Sequence, residues 1–298
     1  MLSILIPTYN YNVTSLVTEL HSQAEKCSTK IEIIVMEDGS KLHLEENQNI
    51  TKLPLCKYIV LSENIGRSAI RNRLASEAQF EHLLFLDCDG EIQNSDFVEK
   101  YLNYCKIEAI VVGGTAYDSL DENPQYSLRT KYGKIREAKT AEERTKEGIY
   151  SHFSTFNFLI PKNLFNQIKF NEAIHGYGHE DTLFGHQISE LKLEVIHIDN
   201  PLTHKGLDDN LTFIKKTEEA TRNLYLLYKS NQYPYLTNHS KLLSRYKKIN
   251  EMRLVSAFAE LFILSKKLIL QNLTSKNPSL RLFDVYKLLY LCNFANSK

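Results

Sequence analysis

The sequence predicts an α/β fold, with a mostly parallel sheet flanked by helices over residues 1–212 and a helical C-terminal extension over 213–298. Three observations point there. Short apolar runs alternate with segments of helical periodicity through residues 1–115, the order expected of parallel strands joined by crossover helices. Polar clusters rich in Asp, Asn and Gly follow the apolar runs, where parallel sheets keep their ligand sites. From Leu211 onward the pattern is helical to the end.

Each element has its own signal. Ser3-Ile4-Leu5-Ile6 reads as a buried strand stopped by Pro7, and residues 13–27 as a helix with Asn12 at its N-cap. Residues 31–36 and 57–61 are the second and third strands, and 68–78 a helix. The run 82–86 is the fourth strand, followed by a helix near 95–105 and a fifth strand at 109–113. Residues 117–150 are rich in Lys, Arg and Glu and include Pro124 and Gly133, which reads as a long loop with some helix, a flap or mobile insertion. Strand-like composition returns at 153–161 and 194–198, with a helix at 181–191 between them.

Composition narrows the classes. At 298 residues, 43% apolar and 24% charged, the chain is neither disordered nor collagen-like and can bury a sizeable core. A formal net charge of zero argues against a dedicated nucleic-acid binder. Five cysteines, odd in number and without a CxxC pair, argue against a zinc ribbon or a disulfide framework and suit a reducing, cytoplasmic setting. The N-terminus lacks the basic region of a signal peptide, and the most apolar stretch, 254–270, is interrupted by Glu260, Lys266 and Lys267. Charge is uneven: residues 241–298 hold eleven basic and three acidic side chains, a net of +8 against −8 before them.

Chemistry gathers at the strand ends. Pro7-Thr8-Tyr9-Asn10 ends the first strand and Glu37-Asp38-Gly39-Ser40 the second. Glu63-Asn64-Ile65-Gly66-Arg67-Ser68-Ala69-Ile70-Arg71-Asn72 follows the third, and Asp87-Cys88-Asp89-Gly90 the fourth. Each alone also fits a turn or a helix cap; four at successive strand ends are harder to explain that way. Asp87 and Asp89, two residues apart, can share a divalent cation, and Mg2+ or Mn2+ prefers such oxygen ligands. His175-Gly176-Tyr177-Gly178-His179-Glu180-Asp181 pairs glycines able to approach a ligand with two acids at a helix start, where macrodipole capping is the bland alternative. His204, after a strand and before Lys205-Gly206, is either a metal ligand or a packed histidine.

This ordered set, PTYN, EDGS, ENIGRSAIRN, LFLDCDGE and GHED, resembles an inverting family 2 glycosyltransferase of the GT-A fold, of the bacterial polysaccharide type, over residues 1–210. The resemblance implies that Pro7, Thr8 and Tyr9 line the nucleotide base and that Asp38 accepts a hydrogen bond from uracil N3–H. It implies that the Asn64-Ile65-Gly66-Arg67 segment, with Arg71, borders the nucleotide. The Asp87-Cys88-Asp89 turn would hold ribose and metal, with Asp87 toward the sugar and Asp89 on the Mn2+ or Mg2+, completed by His204. Asn157 would belong to the donor-sugar site; Gly113-Gly114-Thr115 either lines the donor sugar or is only a turn after a strand. Asp181 would be the general base, with Glu180 beside it binding acceptor or donor sugar; a sugar hydroxyl needs such a base at neutral pH.

The expected activity is therefore a metal-dependent hexosyl or N-acetylhexosaminyl transfer from a nucleotide donor, UDP-linked, to a hydroxyl of a glycan or lipid-linked acceptor. Two rivals remain. Leu83 to Gly90 also resembles the nucleophile motif of haloacid-dehalogenase phosphatases, although Glu91 stands where that motif has Thr. A non-catalytic sugar-nucleotide binder would use the same residues without turnover. No GxGxxG follows the first strand, which disfavours a dinucleotide-dependent dehydrogenase. In the tail, Leu254, Phe258, Leu261, Phe262, Leu268 and Ile269 recur at helical spacing, as do Phe283, Tyr286, Leu289 and Tyr290. With the basic excess these stripes suit peripheral contact with an anionic membrane at the inner face of the cell; the alternatives are internal packing or a homodimer surface.

Overall fold

The structure is a computed structural model, and it describes residues 1–118, 123–173 and 176–298. In chain order it begins β1 (Leu2–Thr8), α1 (Thr14–Ala24), β2 (Ile31–Glu37), α2 (Leu44–Gln48), β3 (Cys56–Val60), α3 (Arg67–Glu77), β4 (His82–Leu86), β5 (Gly90–Glu91) and α4 (Phe97–Leu102). It continues β6 (Ile110–Val112), β7 (Thr115–Ala116), α5 (Ser127–Tyr132), α6 (Ala141–Lys146), β8 (Asn157–Pro161), α7 (Lys162–Ile168), α8 (Glu180–Glu190), β9 (Val195–His197) and β10 (Leu202–His204). Helices α9 (Asn210–Lys229), α10 (Leu236–His239), α11 (Lys241–Glu251), α12 (Val255–Leu273) and α13 (Leu280–Asn296) complete it.

The chain forms two compact units. The first comprises Met1–Asp118, Ile135–His175 and Glu180–Gly206 and holds both sheets. Its main sheet has strand order β3-β2-β1-β4-β8-β6-β9. β1, β2, β3 and β4 run parallel, whereas β8 is antiparallel to both β4 and β6. β1, β2 and β4 are apolar almost throughout because both faces are covered. Along β4, Leu84 and Leu86 pack with Leu16, Leu20, Phe97 and Tyr101, while Leu83 and Phe85 pack on the other face with Ile70, Leu74, Phe165 and Phe184. That alternation follows from the two-residue repeat of a strand. Rings of Phe85, Phe158, Phe165, Phe170 and Phe184 stack or tilt against one another, with centroids as close as 4.2 Å for Phe170 and Phe184.

Several boundaries differ from expectation. α1 begins at Thr14 with Val13 in the cap position; Asn12 Oδ1 still accepts the Thr14 N–H, at 3.0 Å. α2 was not legible, since Leu44–Gln48 is a single turn of mostly polar residues. The largest correction concerns 117–150. Its residues 123–150 are not a long loop but largely helical: α5, a π-helical turn at Gly133–Glu137, and α6. Thr140 and Glu143 form a capping box on α6. The buried Arg144 guanidinium donates to the carbonyls of Lys139 (2.8 Å) and Ile198 (2.7 Å) and to His197 Nδ1 (3.2 Å), which ties α6 to β9. Gly114, at φ +94°, lies where a Cβ would sit 1.9 Å from that guanidinium.

The second unit comprises Ser119–Lys134, Gly176–His179 and Leu207–Lys298 and is helical. Its core gathers Leu128, Phe213, Phe262, Ile269, Phe283 and Tyr286. The expected apolar stripes split: Phe262 and Ile269 are buried, whereas Leu254, Leu261 and Leu268 are exposed. No helix among the described residues is long and apolar enough to cross a membrane.

Candidate active site

The strand order reverses between β1 and β4: β2 and β3 lie to one side of β1 and β4 to the other. In open parallel sheets that reversal opens a crevice at the carboxyl ends of the two strands. Pro7, Thr8 and Tyr9 end β1 on one side of it, and Asp87, Cys88 and Asp89 follow β4 on the other. Pro7 is half-buried, Thr8 buried, and Tyr9 54% exposed, so its ring offers a free face.

The loops after β1, β2 and β3 are knitted together by side chains that bind backbone. Asn10, in a left-handed conformation at φ +51°, accepts from the amides of Lys41 (2.7 Å) and Leu42 (3.1 Å), and its own amide donates to Ser40 Oγ (2.9 Å). Asp38 is buried, and its two carboxylate oxygens accept the Ile65 amide (2.7 Å) and the Gly66 amide (3.1 Å). Burial pushes the Asp38 pKa up, and these two amides oppose the rise. Asn64 is exposed and donates to the Asp38 carbonyl at 3.1 Å. Gly39 sits at φ +67° with its Cβ position only 2.5 Å from the Asn64 nitrogen, so the close approach of the two loops requires glycine.

Beneath them lies a residue that sequence reasoning missed. Glu37 is wholly buried and accepts from Ser40 Oγ (2.5 Å), Asn47 Nδ2 (2.8 Å) and Tyr58 OH (3.0 Å). The acid of the Glu-Asp pair that faces the interior was not distinguishable before the register was known.

β5 explains how Asp89 meets His204. The Asp87–Gly90 turn leads straight into β5, which pairs antiparallel with β10, setting His204 opposite Gly90. His204 Nε2 lies 3.0 Å from Asp89 Oδ2, and its Nδ1 lies 3.2 Å from Tyr117 OH, which in turn donates to Glu137. Burial disfavours the Asp89 carboxylate, but the His204 hydrogen bond and the Arg67 charge outweigh it and hold its pKa below the usual range. Cys88 is pushed far up by burial and by the flanking Asp89 and Asp87, so its thiol stays protonated. Asp87 is not part of this pair: its Oδ1 accepts from Arg71 Nη2 at 2.6 Å. Among the described residues no three His, Cys, Asp or Glu side chains converge as a metal-binding group.

Two arginines one turn apart on α3 link the fourth strand end to the start of α8. Arg71 is buried between Asp87 and the face of Phe170, and its charge also acts on Asp181. Arg67 lies 3.4 Å from Glu180 Oε1, and its charge acts on Asp89. Asp181 Oδ1 accepts the Thr182 amide at 2.7 Å. Burial first and the Glu180 charge second push the Asp181 pKa up to about 6, with Thr182 and Arg71 pulling the other way. The sequence expectation places Arg67, in the Asn64–Arg67 segment, at the border of the nucleotide; its link to Glu180 is one that the four-residue spacing to Arg71 does not report.

Other residues turn inward. Asn157 is 1% exposed; its Oδ1 accepts from Tyr101 OH at 2.6 Å, and its Nδ2 donates to Asn200 O (2.9 Å) and Gly114 O (3.1 Å). Those partners brace the β6–β7 turn from within. Gly176 and Gly178 make their close approach to α9, where added Cβ atoms would meet Glu219 and Ala220. His175 of the same motif lies outside the described residues.

The comparisons agree with this architecture. The sequence family described as glycosyl transferase family 2 matches residues 3–169. No curated protein matches the chain significantly. S. aureus TarS aligns with a TM-score of 0.52 and 19% identity over 75% of this chain; the chain covers only 39% of that structure. TarS 1-349 in complex with UDP-GlcNAc aligns with a TM-score of 0.52 and 15% identity over 99% of this chain and 91% of that one. The mannosyltransferase PcManGT from Pyrobaculum calidifontis, in complex with GDP-Man and Mn2+, aligns with a TM-score of 0.58 and 13% identity over 100% and 88%. At such identities the likeness to these structures is one of fold.

Proposed function

Because the chain belongs to glycosyl transferase family 2, we propose that it transfers a hexosyl or N-acetylhexosaminyl group from a UDP-linked donor to a hydroxyl of a glycan or lipid-linked acceptor, with inversion. The observation that carries the reading is the arginine pair of α3. Arg71 and Arg67 draw Asp87, Asp89, Glu180 and Asp181 into one electrostatic group at the carboxyl edge of the sheet.

In this reading Tyr9 stacks on the base, and Asp38 uses a remaining lone pair for a base N–H. Asp89 and His204 offer an oxygen and a nitrogen side by side, a donor pair that fits Mn2+. Phosphate oxygens of the donor would complete the shell, as they commonly do for Mg2+. The cation would supply charge neutralisation for the departing diphosphate. Asp181, with its raised pKa, takes the proton of the acceptor hydroxyl as that oxygen bonds to the anomeric carbon. The bond from the anomeric carbon to the diphosphate oxygen breaks with its electron pair on the leaving group, opposite the attacking oxygen, so the configuration inverts. Glu180, 3.4 Å from Arg67, accepts a hydrogen bond from a sugar hydroxyl in this reading.

The testing experiment is a donor screen that follows UDP or GDP release with Mn2+ present. Acceptor-dependent UDP release is the expected result. Tight UDP-sugar binding with no turnover across glycan and lipid-linked acceptors would instead favour a non-catalytic binder.

A further inference from the structure

α12 is apolar on two opposite faces. One face, with Ala259, Phe262, Ile269 and Leu273, is buried in the core of the helical unit. The other carries Ala257, Leu261, Leu264 and Leu268, all exposed, with Leu264 79% and Leu268 70% accessible. Leu254, at the cap position, extends the row. Their spacing alternates three and four residues over five positions, which is the repeat a two-helix seam uses. A contiguous apolar face left open to water is the mark of a surface that a partner covers.

We propose that this row is a self-association surface, on which α12 of a second copy packs antiparallel about a two-fold axis near residues 262 and 263. A two-fold interface is self-complementary, so the seam must match itself. Antiparallel pairing does this: Leu261 faces the partner's Leu264, and Ala257 faces the partner's Leu268, which sets a small side chain against a large one. Charge supplies the second argument. Glu260 and Lys267 flank the row on the same side, both exposed, and neither has an ion pair among the described residues. In the antiparallel register Glu260 of each copy meets Lys267 of the other, twice per dimer. A parallel pairing would set Glu260 and Lys267 beside the partner's uncharged Ser265 and Asn272 and would form neither ion pair. Lys266 does not contribute, because its ammonium is folded over the Phe262 ring, 5.4 Å from the centroid.

The test is sedimentation equilibrium of the full chain, with charge reversals in the seam. The native protein is expected to dimerise at micromolar concentration. Glu260→Lys and Lys267→Glu should each weaken the dimer about tenfold at low salt. The double variant should restore it, and so should mixing the two single variants, since each then supplies what the other lacks. Leu264→Asp should give a monomer with an unchanged circular dichroism spectrum. A native protein monomeric at high micromolar concentration would overturn the proposal, as would a dimer indifferent to Leu264→Asp or charge reversals without rescue. A monomer that sediments with anionic phosphatidylserine vesicles through Leu264 would also overturn it, assigning the face to a lipid surface instead.

Discussion

In the proposed transfer, Asp181 carries the proton that the acceptor hydroxyl gives up. Its carboxyl is held near pH 6, above an ordinary aspartate, by burial and by Glu180. A folded-state pKa above the unfolded value means that the folded chain prefers the protonated acid. The associated stability is fully present below about pH 4 and is lost as the pH rises through about 6. Asp181→Asn, which keeps the shape and removes the charge, should therefore raise the unfolding free energy at about pH 8 by an amount on the order of 1 kcal/mol, and Tm with it, and the gap should close toward pH 4. Thermal unfolding at the two pH values reads it directly. Asp89 makes the complementary case. Asp89→Asn should keep the fold and reduce Mn2+-dependent UDP affinity by more than about tenfold. Calorimetry of UDP with and without Mn2+ measures this, and an unchanged affinity would move the cation away from Asp89.

At the scale of elements, two loops and one helix carry most of the positioning. Gly39→Ala places a methyl group 2.5 Å from the Asn64 nitrogen at φ +67°. It should cost about 1–3 kcal/mol in urea unfolding and weaken UDP binding, because it parts the β2 and β3 loops. Arg144→Met leaves the Ile198 and Lys139 carbonyls short of a donor and should destabilise by about 3 kcal/mol. The same elements show what was legible. β1, β2 and β4 were readable because burial on both faces writes a continuous apolar run. β5 and β7 were not, since two residues are too few to show alternation. Thr140-x-x-Glu143 is a helix-start signature inside a stretch whose charge content suggested a loop. What hid α6 is Arg144, whose burial among carbonyls no local pattern reports. In α12 periodicity found the apolar residues but not which of them face inward, because the helix is apolar on both sides.

Over the whole molecule, the motif order was informative because parallel strands send their carboxyl ends to one edge, so residues far apart in sequence become neighbours by topology. The β5–β10 pairing that sets His204 beside Asp89, and the inward turn of Glu37, depend on long-range register that a single sequence does not display. The transfer proposed for this edge makes Asp181 the base of an inverting reaction. The rate of transfer should fall on the acid side below about pH 6, as the carboxylate takes up its proton. The most direct measurement compares acceptor-dependent nucleoside diphosphate release by the native protein and by Asp181→Asn across pH 5 to 8, at saturating donor. A loss of at least about a hundredfold in the variant, with donor affinity kept and the acid limb near pH 6 present only in the native protein, is the expected result. Substantial transfer by Asp181→Asn with the same acid limb would contradict it and place the base elsewhere.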